Sequence, residues 1–257
     1  MTDGSWLALL AAAFGGGATV KLIEITYDQF GRWRDRREGN AKVVDRSLEP
    51  LLRATDELVG KLRSLGEQDF LPLREIKFGG LDDERFASVV YLFVQFWCEV
   101  EIIRLRGMSG DVARSKRGRQ TQAFFRCLES RKLRLIDRIS QRAIGESALL
   151  EDRTMNFVEY VRHFDSDPYA KRWAEPLVTI LSKTWETEAR QLILQYLVVL
   201  HAMIDLLDPS HLVTRDRPGI PNKLSAKSWK DLNYRVFKLY LPKLKSHKYL
   251  GPPKRRP

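Results

Sequence analysis

The sequence holds two cysteines and four histidines in 257 residues. Cys98 and Cys127 form no CxxC pair and both sit in apolar stretches of helical spacing, so no disulfide framework is expected and a reducing cytosol suits them. Histidine is too scarce to build an obvious metal centre. His163, Asp165 and Asp167 cluster in RHFDSDP, but no second His or Cys cluster supplies a fourth ligand, and Asp167 before Pro168 already reads as a helix cap. His201, inside an apolar helix, reads as a core residue, and His211 and His247 as exposed. The GxxxxGKS/T, GxGxxG, HExxH and GxSxG signatures are also missing. No catalytic residue, metal or cofactor is therefore assigned, and a non-enzymatic role is expected. Alternating strand patterns, internal repeats and a βαβ rhythm are lacking too, which leaves an all-α class with at most a short hairpin within 69–79.

Charge is absent from the run WLALLAAAFGGGATV, Trp6 to Val20. At about 1.5 Å per residue it spans roughly 22 Å, short of a ~30 Å hydrocarbon core. Extended through Ile25 the run reaches a spanning length. Lys21 and Glu24 can then pair near one end, and Trp6 sits at the other as an interfacial residue. A secretory signal wants a positive leader, and Met1 to Ser5 has no Lys or Arg. A soluble helix would lose roughly 1 kcal/mol for each of Gly15, Gly16 and Gly17. The run is thus expected to be a single transmembrane helix over 6–27, followed by a basic juxtamembrane linker, 28–40, carrying Arg32, Arg34, Arg36 and Arg37. Basic flanks stay in the cytosol, so the N-terminus is placed outside and the main domain inside. Ala11 to Ala13, each four residues before a glycine of the triplet, offer a small-xxx-small face for a homo-oligomer.

Residues 41–208 read as a cytosolic helical-bundle-like domain. Val44, Leu48, Leu51, Leu52, Leu58, Val59, Leu62 and Leu65 recur at helical spacing. The stretch from Leu81 to Gly107 has an acidic first turn, a basic last turn and apolar residues nearly all round, as a central buried helix should. RSKRGRQ at 114–120 reads as a solvated face or loop. A turn is expected around Gly145, and EARQLILQYLVVLHAMIDLLDP is the last core helix. A buried polar cluster is expected at Gln95, Glu99, Glu101 and Arg104. An unpaired buried charge is very costly, so the favoured arrangement is a structural Glu101–Arg104 pair at i,i+3 with Glu99 reaching another helix. The competing reading makes Glu99 and Glu101 the site of a membrane enzyme.

Positive charge is concentrated at the C-terminus. From Arg215 onward 13 Lys and Arg face only Asp216 and Asp231, an excess of 11 that equals the net charge of the whole chain. The basic C-terminal segment, 209–257, opens with an irregular, breaker-rich connection. A helix follows, capped at Ser228 to Asp231, with Trp229, Leu232, Val236, Leu239 and Tyr240 on one side; either these dock on the domain and leave the lysines outward, or the aromatics join the cations in binding. The tail beyond Pro242 is too short and polar to fold alone. Lys230, Arg235, Lys238, Lys243, Lys245, Lys254, Arg255 and Arg256 are assigned to binding an anionic surface. Beside a membrane anchor that means anionic lipid first, and nucleic acid as the alternative partner.

YLFVQFWCEVEIIR at 91–104 and QRAIGE at 141–146 resemble patches in a group of uncharacterised bacterial proteins with an N-terminal membrane segment and a helical cytosolic body. The likeness covers roughly residues 6 to 205 and leaves out the basic C-terminal segment. It implies an anchored helical protein of the bacterial inner membrane and contributes no active site. Together these readings give a membrane-anchored scaffold or regulatory module that binds anionic lipids and a protein partner or a second copy of itself.

Overall fold

Helix α1, 48–67, forms because its apolar residues return every three or four positions, and Leu48, Leu51, Leu52, Leu58, Val59, Leu62 and Leu65 are all buried. The computed structural model describes residues 48–74, 81, 83–105, 115–151 and 153–251. The expected anchor 6–27, the linker 28–40, and Lys254, Arg255 and Arg256 lie outside the described residues. After α1 the chain reverses through Asp69 and Phe70, both at positive φ (50° and 60°). This conformation is unfavourable for a residue with a Cβ, and it is held because Phe70 is buried and its N–H bonds Leu65 O at 2.7 Å. A short helix, α2 (Leu71–Arg74), follows where part of the expected hairpin would fall.

Two long helices form the core. In α3 (Glu84–Leu105) Asp83 accepts from the N–H groups of Arg85 and Phe86, and burial runs nearly all round the helix. In α8 (Thr187–Leu207) the same is true from Ala189 to Leu207. Both are long and apolar enough to cross a membrane, yet 78% and 67% of their most apolar windows are covered within this fold, as in the core of a globular domain. Trp97 Nε1 donates to Tyr196 Oη at 3.0 Å, and Phe93 and Phe96 pack their rings on Tyr196, which locks α3 to α8.

Around this pair stand α4 (Lys116–Leu128), α5 (Arg138–Ser147), α6 (Phe157–Ser166) and α7 (Pro168–Ser182). Each is capped by a side chain at its N-terminus: Ser115, Asp137, Asn156 and Asp167. Asp167 is therefore a cap, as its place before Pro168 suggests. RSKRGRQ is not a loop from Lys116 onward, since it forms the first turns of α4. Gly145 is not a turn either. It sits inside α5, where a Cβ would lie 2.7 Å from the Trp97 carbonyl oxygen, so its missing side chain is what lets α5 cross α3 closely. The two-stranded hairpin lies at β1 (Leu149–Leu150) and β2 (Arg153–Thr154), not within the expected 69–79; two residues per strand are too few to show alternation. The hairpin is tied to α3 by Tyr91 Oη, which donates to Met155 O at 2.9 Å.

All the described residues belong to one compact unit, Asp45–Pro257, so the C-terminal segment packs on the bundle. Its connection, 208–225, is irregular but fastened. Asp208 accepts from the N–H groups of Leu212, Val213 and Thr214 and from the Thr214 hydroxyl. The α8 side chain of Gln191 bonds Lys223 O and the Ser225 N–H. Helix α9 begins at Ala226–Lys230, widens into a π-helical stretch at Asp231–Phe237, and closes with one α turn at Lys238–Tyr240. Its cap is Ser225, not Ser228, because Ser225 Oγ accepts the Ser228 N–H while the buried Ser228 hydroxyl takes a bond from Gln195 of α8. A last helix, α10, spans His247–Leu250.

Candidate functional site: a basic face and the charges beneath it

Five of the eight assigned cations fall on described residues, and all five are exposed: Lys230, Arg235 and Lys238 on α9, Lys243 and Lys245 in the connection to α10. Arg235 is partly neutralised by Asp231 at 3.2 Å. Tyr234 and Leu239, 59% and 68% exposed, stand among the cations. Leu239 therefore faces outward instead of docking, and Phe237 is buried in its place with Leu232 and Val236. The π winding explains the exchange: with more residues per turn, the buried stripe of α9 drifts away from the positions an α-helix would choose.

Trp229 is held by the bond its Nε1 donates to Leu250 O at 3.1 Å, with its ring edge-on to Tyr234. Residues 243–251 of the tail, too short and polar to fold alone, pack on the domain. Tyr249 and Leu250 are buried, and the Tyr249 ring stacks on Phe237 at 5.7 Å. Lys248 pairs with Asp205, whose side chain is buried at the end of α8. Asp205 also lies 3.8 Å from His201 Nε2 and 3.7 Å from His211 Nε2. Burial holds the His201 imidazole below its ordinary pKa, against the weaker upward pull of Asp205. His211 is half-buried, not exposed as its sequence context suggested, with Nδ1 3.1 Å from Thr214 Oγ1. His247 is exposed.

The polar residues of α3 separate into two settings. Glu101 pairs with Arg104, the i,i+3 arrangement expected, and Arg104 also reaches Glu129, which meets Arg138 at 3.1 Å. Desolvation raises the Glu101 pKa even with Arg104 beside it. Glu99 accepts from the Thr154 hydroxyl at 2.7 Å, which ties it to the hairpin. Gln95 Oε1 is buried without a hydrogen-bond partner among the described residues. The two carboxylates, two residues apart on one helix, thus have different surroundings. Burial pushes the thiols of Cys98 and Cys127, both free, up to about 11 and about 12. Among the described residues no three His, Cys, Asp or Glu side chains gather as metal ligands would.

A further ion pair lies between the first helix and the C-terminal connection. Asp56 of α1 accepts both guanidinium nitrogens of Arg217 and the backbone N–H of Arg215. Its partners are about 160 positions away in the chain, and no local pattern marks them. A search of protein-family profiles, curated proteins and solved structures finds no match to this chain.

Proposed function

We propose that the chain is a non-enzymatic, membrane-anchored helical module of the bacterial inner membrane, held by Trp6 to Ile25, with its domain in the cytosol and α9 turned to anionic lipid. The observation that carries this reading is the run of exposed cations along and just after α9, where Lys230, Arg235, Lys238, Lys243 and Lys245 are interspersed along the chain with exposed Tyr234 and Leu239. Lysines near an anionic leaflet contribute about 1 kcal/mol each, and an exposed tyrosine and leucine suit insertion among headgroups. The rest of the surface is left for a protein partner or a second copy.

Two experiments test it. Full-length protein should fractionate with membranes; recovery in the soluble fraction overturns the anchor. Reconstituted in nanodiscs, the full chain should show slower amide exchange over 230–245 with phosphatidylglycerol than with phosphatidylcholine, and the difference should vanish at high salt. Equal exchange in both lipids overturns the lipid-facing role. Tyr234 between cations would also stack a nucleobase, so tight, salt-sensitive binding of single-stranded DNA without any lipid response would favour the nucleic-acid reading instead.

A further inference from the structure

Between the start of α4 and the chain after α9 lies a groove of about 300 Å³, at the small end of the ~300–1,000 Å³ typical of ligand clefts. Its floor is apolar: Ala123 from α4, Leu206 from the end of α8, and Leu241 and Leu244 from the C-terminal segment. Its rim is basic: Lys116 and Arg119, one turn apart on α4, face Lys243 across the opening, and among the described residues no acidic side chain lines the groove. Lys116 and Lys243 make no ion pair among the described residues.

The two ends of the groove differ for a structural reason. Lys116, Arg119 and Ala123 follow one face of α4, so the charge sits at the helix N-terminus, where the backbone dipole is positive, and the apolar part lies deeper. The opposing negative end of α8 is masked there, because the Arg117 guanidinium donates to Leu207 O. Lys116 and Lys243, from two separate elements, are thereby brought over an apolar slot that no acidic side chain lines among the described residues. That is the complement of a molecule with an anionic head and a hydrocarbon tail.

We infer that this groove binds one acidic phospholipid from the bilayer, with the phosphate between Lys116, Arg119 and Lys243 and part of an acyl chain along Leu206, Leu241 and Leu244. The site rests on the lipid-facing reading of α9 and deepens it, from a diffuse charged contact to a single bound molecule. The volume fits a chain segment, not a whole lipid, so the remainder stays in the leaflet.

Native mass spectrometry of the full-length protein released from detergent micelles tests this, with phosphatidylglycerol and phosphatidylcholine as the probes. The expected result is one retained phosphatidylglycerol per chain, with retention of phosphatidylcholine weaker on the order of tenfold. Lys116→Gln with Lys243→Gln should abolish that preference, and Ala123→Trp, which fills the slot, should abolish retention of both lipids. Equal retention of the two lipids, or a preference unchanged in the lysine variant, overturns the inference whether or not Ala123→Trp folds. Displacement of the lipid by stoichiometric acidic peptide would overturn it in favour of a protein ligand. If α9 still responds to anionic nanodiscs while the groove variants change nothing, only the groove falls and the broader reading stands.

Discussion

The ion pairs of the interior and the cations of α9 use the same chemistry in opposite settings. Arg217 and Arg104 are enclosed and matched to Asp56, Glu101 and Glu129, whereas Lys230, Lys238, Lys243 and Lys245 stand in water with no carboxylate holding them among the described residues. Enclosed charges are constrained by their partners, and losing one leaves the other stranded in a poor solvent. Exposed charges contribute little to folding and remain free to meet something else. The arginines and carboxylates beneath the surface therefore belong to the fold, and the lysines of α9 to whatever the domain touches.

The contrast can be broken first from the inside. Asp56→Ala should cost about 3–5 kcal/mol, because Arg217 and the Arg215 N–H both lose their acceptor. For a domain of this size that is a fall in Tm of about 10 °C, measured by differential scanning calorimetry. A Tm within a degree of the parent would mean that the pair is not enclosed in solution. Gly145→Ala should cost about 1–3 kcal/mol, since the added methyl meets the backbone of Trp97 and one helix must shift.

A smaller effect comes from pH. His201 is held below its ordinary value of 6.5, mainly by burial, with Asp205 opposing and Lys248 assisting. On acidification the unfolded chain then takes up the proton first. This group leaves stability unchanged well above 6.5 and removes stability as pH falls through that value. Urea unfolding at a series of pH values should show that slope, and His201→Gln should flatten it. An identical slope in the variant would assign the effect to other groups. The smallest change is expected on the outside: Lys230→Gln, Lys238→Gln, Lys243→Gln and Lys245→Gln together should move stability by no more than about 0.5 kcal/mol per site. They should nonetheless erase the lipid-dependent exchange of α9. A large loss of stability in this variant would dissolve the distinction between the two sets of charges.

What could be read from the sequence was local. The buried stripe of α1, the Glu101–Arg104 pair and the Asp167 cap all rest on partners two to four residues apart, where local spacing alone brings the groups together. The features that escaped reading are those whose partners are distant. Gly145 meets Trp97, Asp56 meets Arg217, and Lys116 faces Lys243, and in each case one member gives no sign of the other. The tail shows the same limit. Its polarity suggested that it could not fold by itself, which is a statement about isolation, and Asp205 and Phe237 change its surroundings. Leu239 was misread because the stripe was counted at 3.6 residues per turn through a segment wound more loosely.

That looser winding gives α9 a property of a gear set one tooth out of phase. Each residue of an α-helix advances the azimuth by about 100°, so a chain that rewound Asp231–Phe237 into ordinary α turns would swing everything after Phe237 around the axis relative to Lys227 and Lys230. Leu241 and Leu244 would leave the groove and Lys243 would quit its rim, although no residue there had changed. Removing one residue from this segment, Asn233 for example, would let it rewind as an α-helix with the azimuth nearly kept, because six α residues turn about as far as seven π-wound ones, so insertions or deletions here would be tolerated only where the azimuth is restored.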